Sequence, residues 1–380
     1  MIKNRYIHLR NLATIFIVCN MLYWIFPFPP VFWRVGLVLL SLYAAVSNGN
    51  KTLAEKTILV FAGFNLLHFT ISFLWQTPST TQIGNIFCAM LSFSLFAYLG
   101  KKGAMTAKYF SVAALCLLAA SIFGYYHAQV MAIERLALDS DTDITNNATV
   151  YFLFLLPILF FIKKKWLKWL VLVVCLYYLL EGAKRGNILA ASIPVVLIVW
   201  FELKDSRRSA FKTVAVIIGI VALSIALYQW FTTNDYLMYR LEKTLEGSSS
   251  GRDQIYAHAW QTWITSDNIM HYLFGYGFDG ILRQPLMNGM YTHNDWLGIL
   301  VDYGLVGVVL YLSIFISFVK LIRKTKNTQI KMAMLSAVFI WFFKTLYSMG
   351  FTEGDMPILM ISLGTAVGQS SLQDKIIDSQ

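Results

Sequence analysis

Charged residues are scarce in this chain. They make up 13% of its 380 residues, against roughly 25% in an average soluble domain. Hydrophobic residues make up 57%, so lipid is the expected solvent. The net charge of +11 does not indicate nucleic-acid binding, because the basic residues stand in short runs between long apolar stretches and not on one face of a folded domain.

Patterns that bind metals or form disulfides are also missing. The sequence has no CxxC pair and no Cys/His spacing typical of metal ligands. All four cysteines fall inside apolar stretches: Cys19, Cys88, Cys116 and Cys175. We therefore predict that they are buried small hydrophobic residues without a redox or metal-binding role.

Long apolar stretches dominate what is present. A membrane-spanning helix needs about 17 to 25 mostly apolar residues, and about twelve stretches come near this length. Their approximate extents are 10–28, 31–48, 57–75, 82–100, 107–126, 148–162, 166–182, 187–202, 211–231, 293–319, 332–349 and 356–370. The first ends in prolines instead of a small-residue cleavage site, which predicts an uncleaved span. The sequence thus predicts an all-α polytopic membrane protein, with one integral membrane domain over residues 1–380.

The basic residues predict the orientation, because cytoplasmic loops carry an excess of Lys and Arg. The loops around residues 163–165 and 204–212 are strongly basic. Both termini are then cytoplasmic, and the two long loops, about 127–147 and 232–292, lie outside. The second long loop, between the ninth and tenth spans, is the stretch long enough to fold over a site.

Three polar segments at outer ends of spans are candidate sites. Two adjacent cations, Lys184 and Arg185, stand in a tight turn where a lipid phosphate could bind, although cations at helix ends also simply snorkel to the interface. Arg252 opens a predicted helix, and a helix N-terminus bearing an Arg suits an anion; the alternative is a surface linker followed by an amphipathic helix on the bilayer. His293 lies at the water boundary, where it could accept a proton, although a lone boundary histidine is more often structural.

Together these segments resemble the O-antigen ligase and polymerase superfamily. The stretch from His293 to Gly307 is similar to the family signature His-Asn-x-aromatic-Leu followed by acid-x-Gly-Leu-x-Gly. The segment from Ser250 to Arg252, with Phe-Gly-Tyr-Gly at 274–277, is similar to the family's outer loop. The Lys-Arg-Gly turn at 184–186 resembles its Ser-Arg-Gly turn, with Lys in place of Ser. The likeness covers roughly residues 150–349.

The resemblance implies a multi-pass enzyme of the bacterial inner membrane. Such enzymes transfer a glycan from undecaprenyl diphosphate to an acceptor hydroxyl outside the cytoplasm, with no metal, nucleotide or other cofactor. The acceptor would be a second glycan, lipid A core or a protein, so ligase and polymerase stay undistinguished. By the resemblance, Arg185 and Arg252 would bind the diphosphate, and His293 would take the acceptor proton, giving inversion.

Several roles stay open at this point. Lys184, Asn294 and Asp302 are candidate supporting residues, and Asp302 is either structural or a partner for a buried cation. It is seven residues from Asp295, so in a helix the two share one face. If His293 is not the base, we expect the base among Asp279, Asp295 and His258. The alternating acids Asp139, Asp141 and Asp143 lack the glycine and terminal glutamate of a calcium loop, which predicts a solvated loop.

Two other functions compete with glycan transfer. A flippase or transporter would have interrupted or charged spans near the bilayer midplane and internal symmetry, whereas the polar residues here gather at outer ends. A cell-wall glycan polymerase would use an outer-loop carboxylate, for which Asp279 and Glu246 are the candidates.

Overall fold

The computed structural model describes residues 2–138, 146–182, 184–204 and 252–378, and within these ranges every regular element is a helix. The α-helices are α1 (Ile2–Met21), α2 (Pro30–Ser47), α3 (Leu53–Ser72), α4 (Thr80–Lys101), α5 (Ala107–Leu138), α6 (Thr149–Leu155), α7 (Lys165–Glu181), α8 (Arg185–Lys204), α9 (Arg252–Ile264), α10 (Ile269–Phe274), α11 (Asp295–Lys324), α12 (Thr328–Tyr347) and α13 (Met356–Asp378). Short 3-10 segments follow α6 (Leu156–Phe161), α1 (Tyr23–Ile25) and α10 (Gly280–Arg283, Pro285–Met287).

Helices occupy all the predicted spans except 211–231, which lies outside the described residues. Six helical stretches in the described part are long and apolar enough to cross a membrane: Pro30–Ser47, Thr80–Lys101, Ala107–Glu134, Gly186–Lys204, Asp295–Lys324 and Thr328–Tyr347. Two shorter apolar stretches, Thr149–Phe161 and Met356–Leu372, accompany them. The chain is therefore helical and of multi-pass character, while the number of twelve spans stays a prediction.

Helix starts follow local capping chemistry. Thr52 and Glu55 form a reciprocal capping box at α3, which satisfies two backbone amides that have no partner within the helix. Asn327 caps α12 by accepting a hydrogen bond from the backbone amide of Ile330 at 3.0 Å. Within the 3-10 segment after α6, Pro157 has no backbone N–H and cannot continue an α-helical ladder.

The buried centre of the bundle is α4, whose residues from Cys88 to Gly100 are all buried. It packs against α2, α3 and α13. On α13, Gly364 and Gly368 leave room for the carbonyls of Phe93 and Ala97 on α4. Small residues of this kind let two helix backbones approach closely, which is how helices pack in lipid.

Polar contacts divide the helix ends into two sets. Segments predicted to be cytoplasmic bond to one another: Lys101 to Asn50, Gln329 to Phe160 and Gln369 to Met105. Segments predicted to lie outside do the same: Gln76 to Phe278, Lys184 to Asn147 and Arg252 to Tyr347. The helices thus alternate in direction as the charge pattern predicts. The side that faces the cytoplasm stays a prediction.

Two expectations were wrong in detail. Helix α5 continues to Leu138, so the predicted loop at 127–147 begins as helix, because residues 127–138 contain no Gly or Pro to end it. The acids at 139, 141 and 143 lie outside the described residues. All four cysteines are free, but only Cys88 and Cys175 are buried. Cys116 is exposed on α5, a position that suits a helix side facing lipid.

Candidate functional site

The large outer loop is anchored on a break in α11. At Gly304 the backbone leaves helical geometry (φ 64°, ψ −162°), a conformation that is essentially restricted to glycine. Gly275, just after α10, has nearly the same angles (φ 71°, ψ −165°). A Cβ on Gly304 would lie 2.4 Å from the carbonyl carbon of Leu273, and one on Gly275 would lie 2.3 Å from that of Asp302. The two backbones therefore touch directly.

Backbone hydrogen bonds complete this anchor. The amide of Tyr276 donates to the carbonyl of Val301 at 2.8 Å, and the amide of Gly277 donates to that of Asp302 at 2.9 Å. These carbonyls are free because the break at Gly304 ends the first helical part of α11. The Phe-Gly-Tyr-Gly segment therefore packs directly against the acid-x-Gly motif. The sequence alone had not related these two motifs.

Asp302 and Asp279 hold the loop beyond this contact. Asp302 Oδ1 accepts a hydrogen bond from the amide of Ile281 at 2.7 Å, and Asp279 Oδ2 accepts one from the amide of Ser79 at 3.0 Å. Asp279 is only 8% exposed, and burial raises its pKa. Both carboxylates therefore have structural contacts, which for Asp302 favours the structural reading.

The last turn of α12 binds both the polar residues at the start of α11 and Arg252 of α9. Arg252 donates from Nη1 to the carbonyl of Tyr347 at 2.8 Å. Asn294 donates from Nδ2 to the carbonyl of Leu346 at 3.1 Å and also caps α11. Trp296 donates from Nε1 to Thr345 Oγ1 at 2.8 Å. The last carbonyls of a helix have no partner within it, which makes this end an acceptor surface.

Asp295 fixes the turn that follows α12. Its carboxylate accepts hydrogen bonds from the amides of Gly350 at 2.9 Å and Phe351 at 3.2 Å, and from the hydroxyl of Tyr311 at 3.0 Å. The residue is 4% exposed. Asp295 and Asp302 line the same cavity of about 30 Å³, as expected of two helical residues seven apart. The carboxylate of Asp295 thus accepts hydrogen bonds from three protein donors, as is typical of a structural residue.

His293 differs from its neighbours in the motif because its side chain is exposed. Its backbone is left-handed (φ 49°), which is uncommon for a residue other than glycine. Desolvation of the imidazole by neighbouring protein groups lowers the pKa of His293, and the charges of Arg252 and Lys184 act in the same direction. The imidazole therefore favours its neutral form, which can accept a proton.

Lys184 lies in the short connection between α7 and α8 and reaches the region of Arg252 and His293. Its Nζ donates to Asn147 Oδ1 at 2.8 Å. Burial lowers the pKa of Lys184 to about 8, with contributions from the charges of Lys344 and Arg252. Arg185 is the first residue of α8, but its side chain lies outside what the structure describes. The structure thus brings Lys184, Arg252 and His293 together, and the role of Arg185 stays a prediction.

Residues 170–312 match the family model described as O-antigen ligase. Over these residues the chain is similar to the O-antigen ligase superfamily. The matched segment runs from within α7 to beyond the break in α11, and so contains Lys184, Arg252 and His293. No match was found among curated proteins. The match suggests glycan transfer of the ligase or polymerase type, with a lipid-linked glycan and an acceptor as partners.

The site has a further ion pair that the sequence motifs did not reveal. Lys344, in the last turn of α12, is 3% exposed, and its Nζ lies 2.8 Å from Glu353 Oε2. Burial opposes the ionisation of Glu353, but Lys344 and Lys184 outweigh it and hold the pKa of Glu353 below its ordinary value. Burial and Glu353 raise the pKa of the nearby Asp355 to about 7. The sequence did contain a signal for this ion pair. Lys344 is a cation inside an apolar span, and such residues are costly in lipid.

The described residues contain no group of three or more His, Cys, Asp or Glu side chains arranged to hold a metal ion. The charges that act on Lys184 are those of the cations Lys344 and Arg252 and of the carboxylate Glu353. Together with Lys184 these are three cations and one carboxylate. Such an arrangement suits a multiply charged anion.

Proposed function

We propose that the chain transfers a glycan from undecaprenyl diphosphate to an acceptor hydroxyl outside the cytoplasm, at the bacterial inner membrane, with inversion and without a metal or other cofactor. The observation that carries the proposal is the convergence of Lys184, Arg252 and His293 at one end of the bundle. The acceptor is a second glycan, lipid A core or a protein.

In this proposal Arg252 binds the diphosphate, together with Arg185 and Lys184. Cleavage of the glycosyl bond leaves the electron pair on the diphosphate oxygen, so negative charge develops there. Fixed guanidinium and ammonium donors stabilise that charge. Arg252 has further N–H donors besides the one bonded to Tyr347, so it can bind phosphate oxygens without leaving α12.

His293 is the proposed general base. A neutral imidazole takes the proton from the acceptor hydroxyl while that oxygen attacks the anomeric carbon from the side opposite the diphosphate, which gives inversion. The lowered pKa of His293 keeps the base form populated near neutral pH. Asn294 and Asp302 act indirectly, since one positions the His293 backbone on α12 and the other holds the outer loop.

The competing functions fit these contacts less well. The carboxylate of Asp279, a candidate base for a cell-wall polymerase, is buried and accepts a hydrogen bond from the Ser79 amide. Glu246, the other candidate, lies outside the described residues. For a transporter, charge should stand near the middle of the spans, whereas Lys184, Arg252 and His293 stand at helix ends.

The direct test is transfer by purified protein in proteoliposomes. The donor is the glycan linked to undecaprenyl diphosphate from the native host, and the readout is release of undecaprenyl diphosphate together with glycan on the acceptor. We expect release in the presence of EDTA, and none with the Arg252→Ala/His293→Gln double variant. Movement of the intact lipid-linked glycan across the bilayer without release would show a transporter instead.

Orientation requires its own test. Reporter tags inserted after Gly247 or near Asp141 should report the outside, and tags near Lys164, Arg207 or Lys326 should report the cytoplasm. A cytoplasmic report for the tag after Gly247 would place the site on the wrong side for this reaction and refute the proposal.

A further inference from the structure

One stripe of side chains on α9 changes from charged to apolar along the helix. Arg252, Tyr256, Trp260 and Ile264 follow one another at intervals of four residues, so they form a single stripe that winds slowly around the helix. With a rise of about 1.5 Å per residue, the stripe is about 18 Å long. Its far end is open, since Trp260 is 49% and Ile264 44% exposed.

The charged end of the stripe has an unused donor. The hydroxyl of Tyr256 is shielded from solvent, and its O–H has no acceptor in the part of the chain that the structure describes. Arg252 and Asn294, the neighbour of His293, lie beside it and act as donors toward its oxygen. A shielded O–H without an acceptor is unfavourable, so an acceptor supplied by a ligand would satisfy it. A phosphate oxygen bound by Arg252 is such an acceptor.

We infer that this stripe binds the prenyl diphosphate part of the donor lipid, with Arg252 and Tyr256 on the diphosphate and Trp260 and Ile264 on the first isoprene units. The inference rests on the proposed function and adds a site for the apolar tail. The order of the side chains matches the order of groups in the ligand, because the anionic head is followed directly by hydrocarbon. The site would hold the head of the lipid at His293 while the tail leaves along α9 toward the bilayer.

The chain provides a matched control for the alternative that these apolar residues only rest on the bilayer. Ile269 and Met270 on α10 are 66% and 57% exposed and lie off the stripe. Helix α10 is tied to the end of α9, since the Tyr272 hydroxyl donates to the carbonyl of Ile264 at 2.7 Å. A bilayer surface would favour both apolar pairs alike, whereas a prenyl chain on the stripe contacts only Trp260 and Ile264.

The experiment compares two probes that share the diphosphate, geranylgeranyl diphosphate and isopentenyl diphosphate, by competition binding to full-length protein in lipid nanodiscs. The Trp260→Gln/Ile264→Gln variant should bind geranylgeranyl diphosphate about tenfold or more weakly and should lose most of the preference for the longer tail. The Ile269→Gln/Met270→Gln variant should keep the parental affinities. Arg252→Ala should weaken the binding of both probes.

Any other outcome would contradict the inference. Equal effects of the two glutamine pairs would show that both only contact the bilayer. Parental binding of geranylgeranyl diphosphate by the Trp260→Gln/Ile264→Gln variant, or a loss of both probes to the same degree, would show that the stripe does not hold the tail. In these cases a normal Arg252→Ala effect would leave the proposed function standing. If Arg252→Ala binds both probes like the parent, Arg252 does not bind the diphosphate, and both this part of the proposed function and the inference fail.

Discussion

Arg252 Nη1 donates a hydrogen bond of 2.8 Å to the carbonyl of Tyr347, the last residue of α12. The C-terminal end of a helix carries a partial negative charge, so a cation is favoured there. The contact fixes the start of α9 beside the segment that carries His293. The guanidinium has further N–H donors besides the one in this contact. Arg252 is therefore both an anchor of the outer loop and the candidate anion ligand.

We expect Arg252→Ala to insert at normal levels and to lose affinity for the donor by about 10- to 100-fold, because hydrogen bonds to charged groups contribute about 1.5–3 kcal/mol. Arg252→Lys should restore binding only in part, since Lys lacks the bidentate fork. Donor binding and protein level are measured on the same membranes. Parental activity of Arg252→Ala would mean that this side chain only anchors the loop.

Replacing His293 with Gln should reduce the rate of transfer by about 10² to 10⁴, the usual contribution of a general base. Binding of the donor should survive, because it depends on the cations. The measurement is the transfer rate at saturating donor, with donor affinity as the control. An unchanged rate would disprove the role of His293, and His258 would then be tested next.

The rate of glycan transfer should fall at acid pH, with a midpoint below pH 6.5. Only the neutral form of His293 accepts a proton, and desolvation, Arg252 and Lys184 all lower its pKa. Lys184→Gln removes one of these positive charges, so the midpoint should move up toward pH 6.5. The pH–rate profile of parent and variant measures this shift. A midpoint that moves down, or does not move, would show that the two groups are not coupled.

Deprotonation of Lys184 should also lower the affinity for the donor at alkaline pH. Its pKa is about 8, so the cation is lost as the pH rises through this value and donor affinity should fall with it. Lys184→Arg keeps its charge and should retain high affinity above pH 8. Donor binding between pH 7 and 9 tests this. If Lys184→Arg and parent lose affinity in parallel, another group controls the alkaline range.

Gly304→Ala should destabilise the protein and displace the outer loop. The Cβ would lie 2.4 Å from the Leu273 carbonyl carbon, in a backbone conformation that costs a residue other than glycine about 1–3 kcal/mol. Gly63→Ala on α3 is the control, since a Cβ there meets nothing within 4 Å. We expect a lower Tm and faster proteolysis of the loop for Gly304→Ala alone. Equal stability of both variants would show that the kink is not required.

The sequence was enough to predict the helical membrane class, because apolar length and helix-end chemistry are local properties. Most helix bounds came within a few residues of their predicted positions. The motif at 293–307 was also enough to predict the superfamily, and the match over residues 170–312 confirmed it. Local pattern failed at α5, because the apolar span was expected to end near residue 126 whereas residues 127–138 contain no Gly or Pro and continue the helix.

The sequence by itself thus determined which residue types stand at the ends of which helices. The tertiary structure alone decided their partners. Arg252 and Tyr347 are 95 residues apart, and Asn294 and Leu346 are 52 apart, so no local pattern relates them. His293, Asn294 and Asp295 are consecutive in the sequence motif, but their surroundings differ. Asn294 bonds to the end of α12, Asp295 bonds to the turn after α12, and His293 is exposed. The physical reason is that the free carbonyls and amides at a helix end bind whatever polar side chain the fold brings to them.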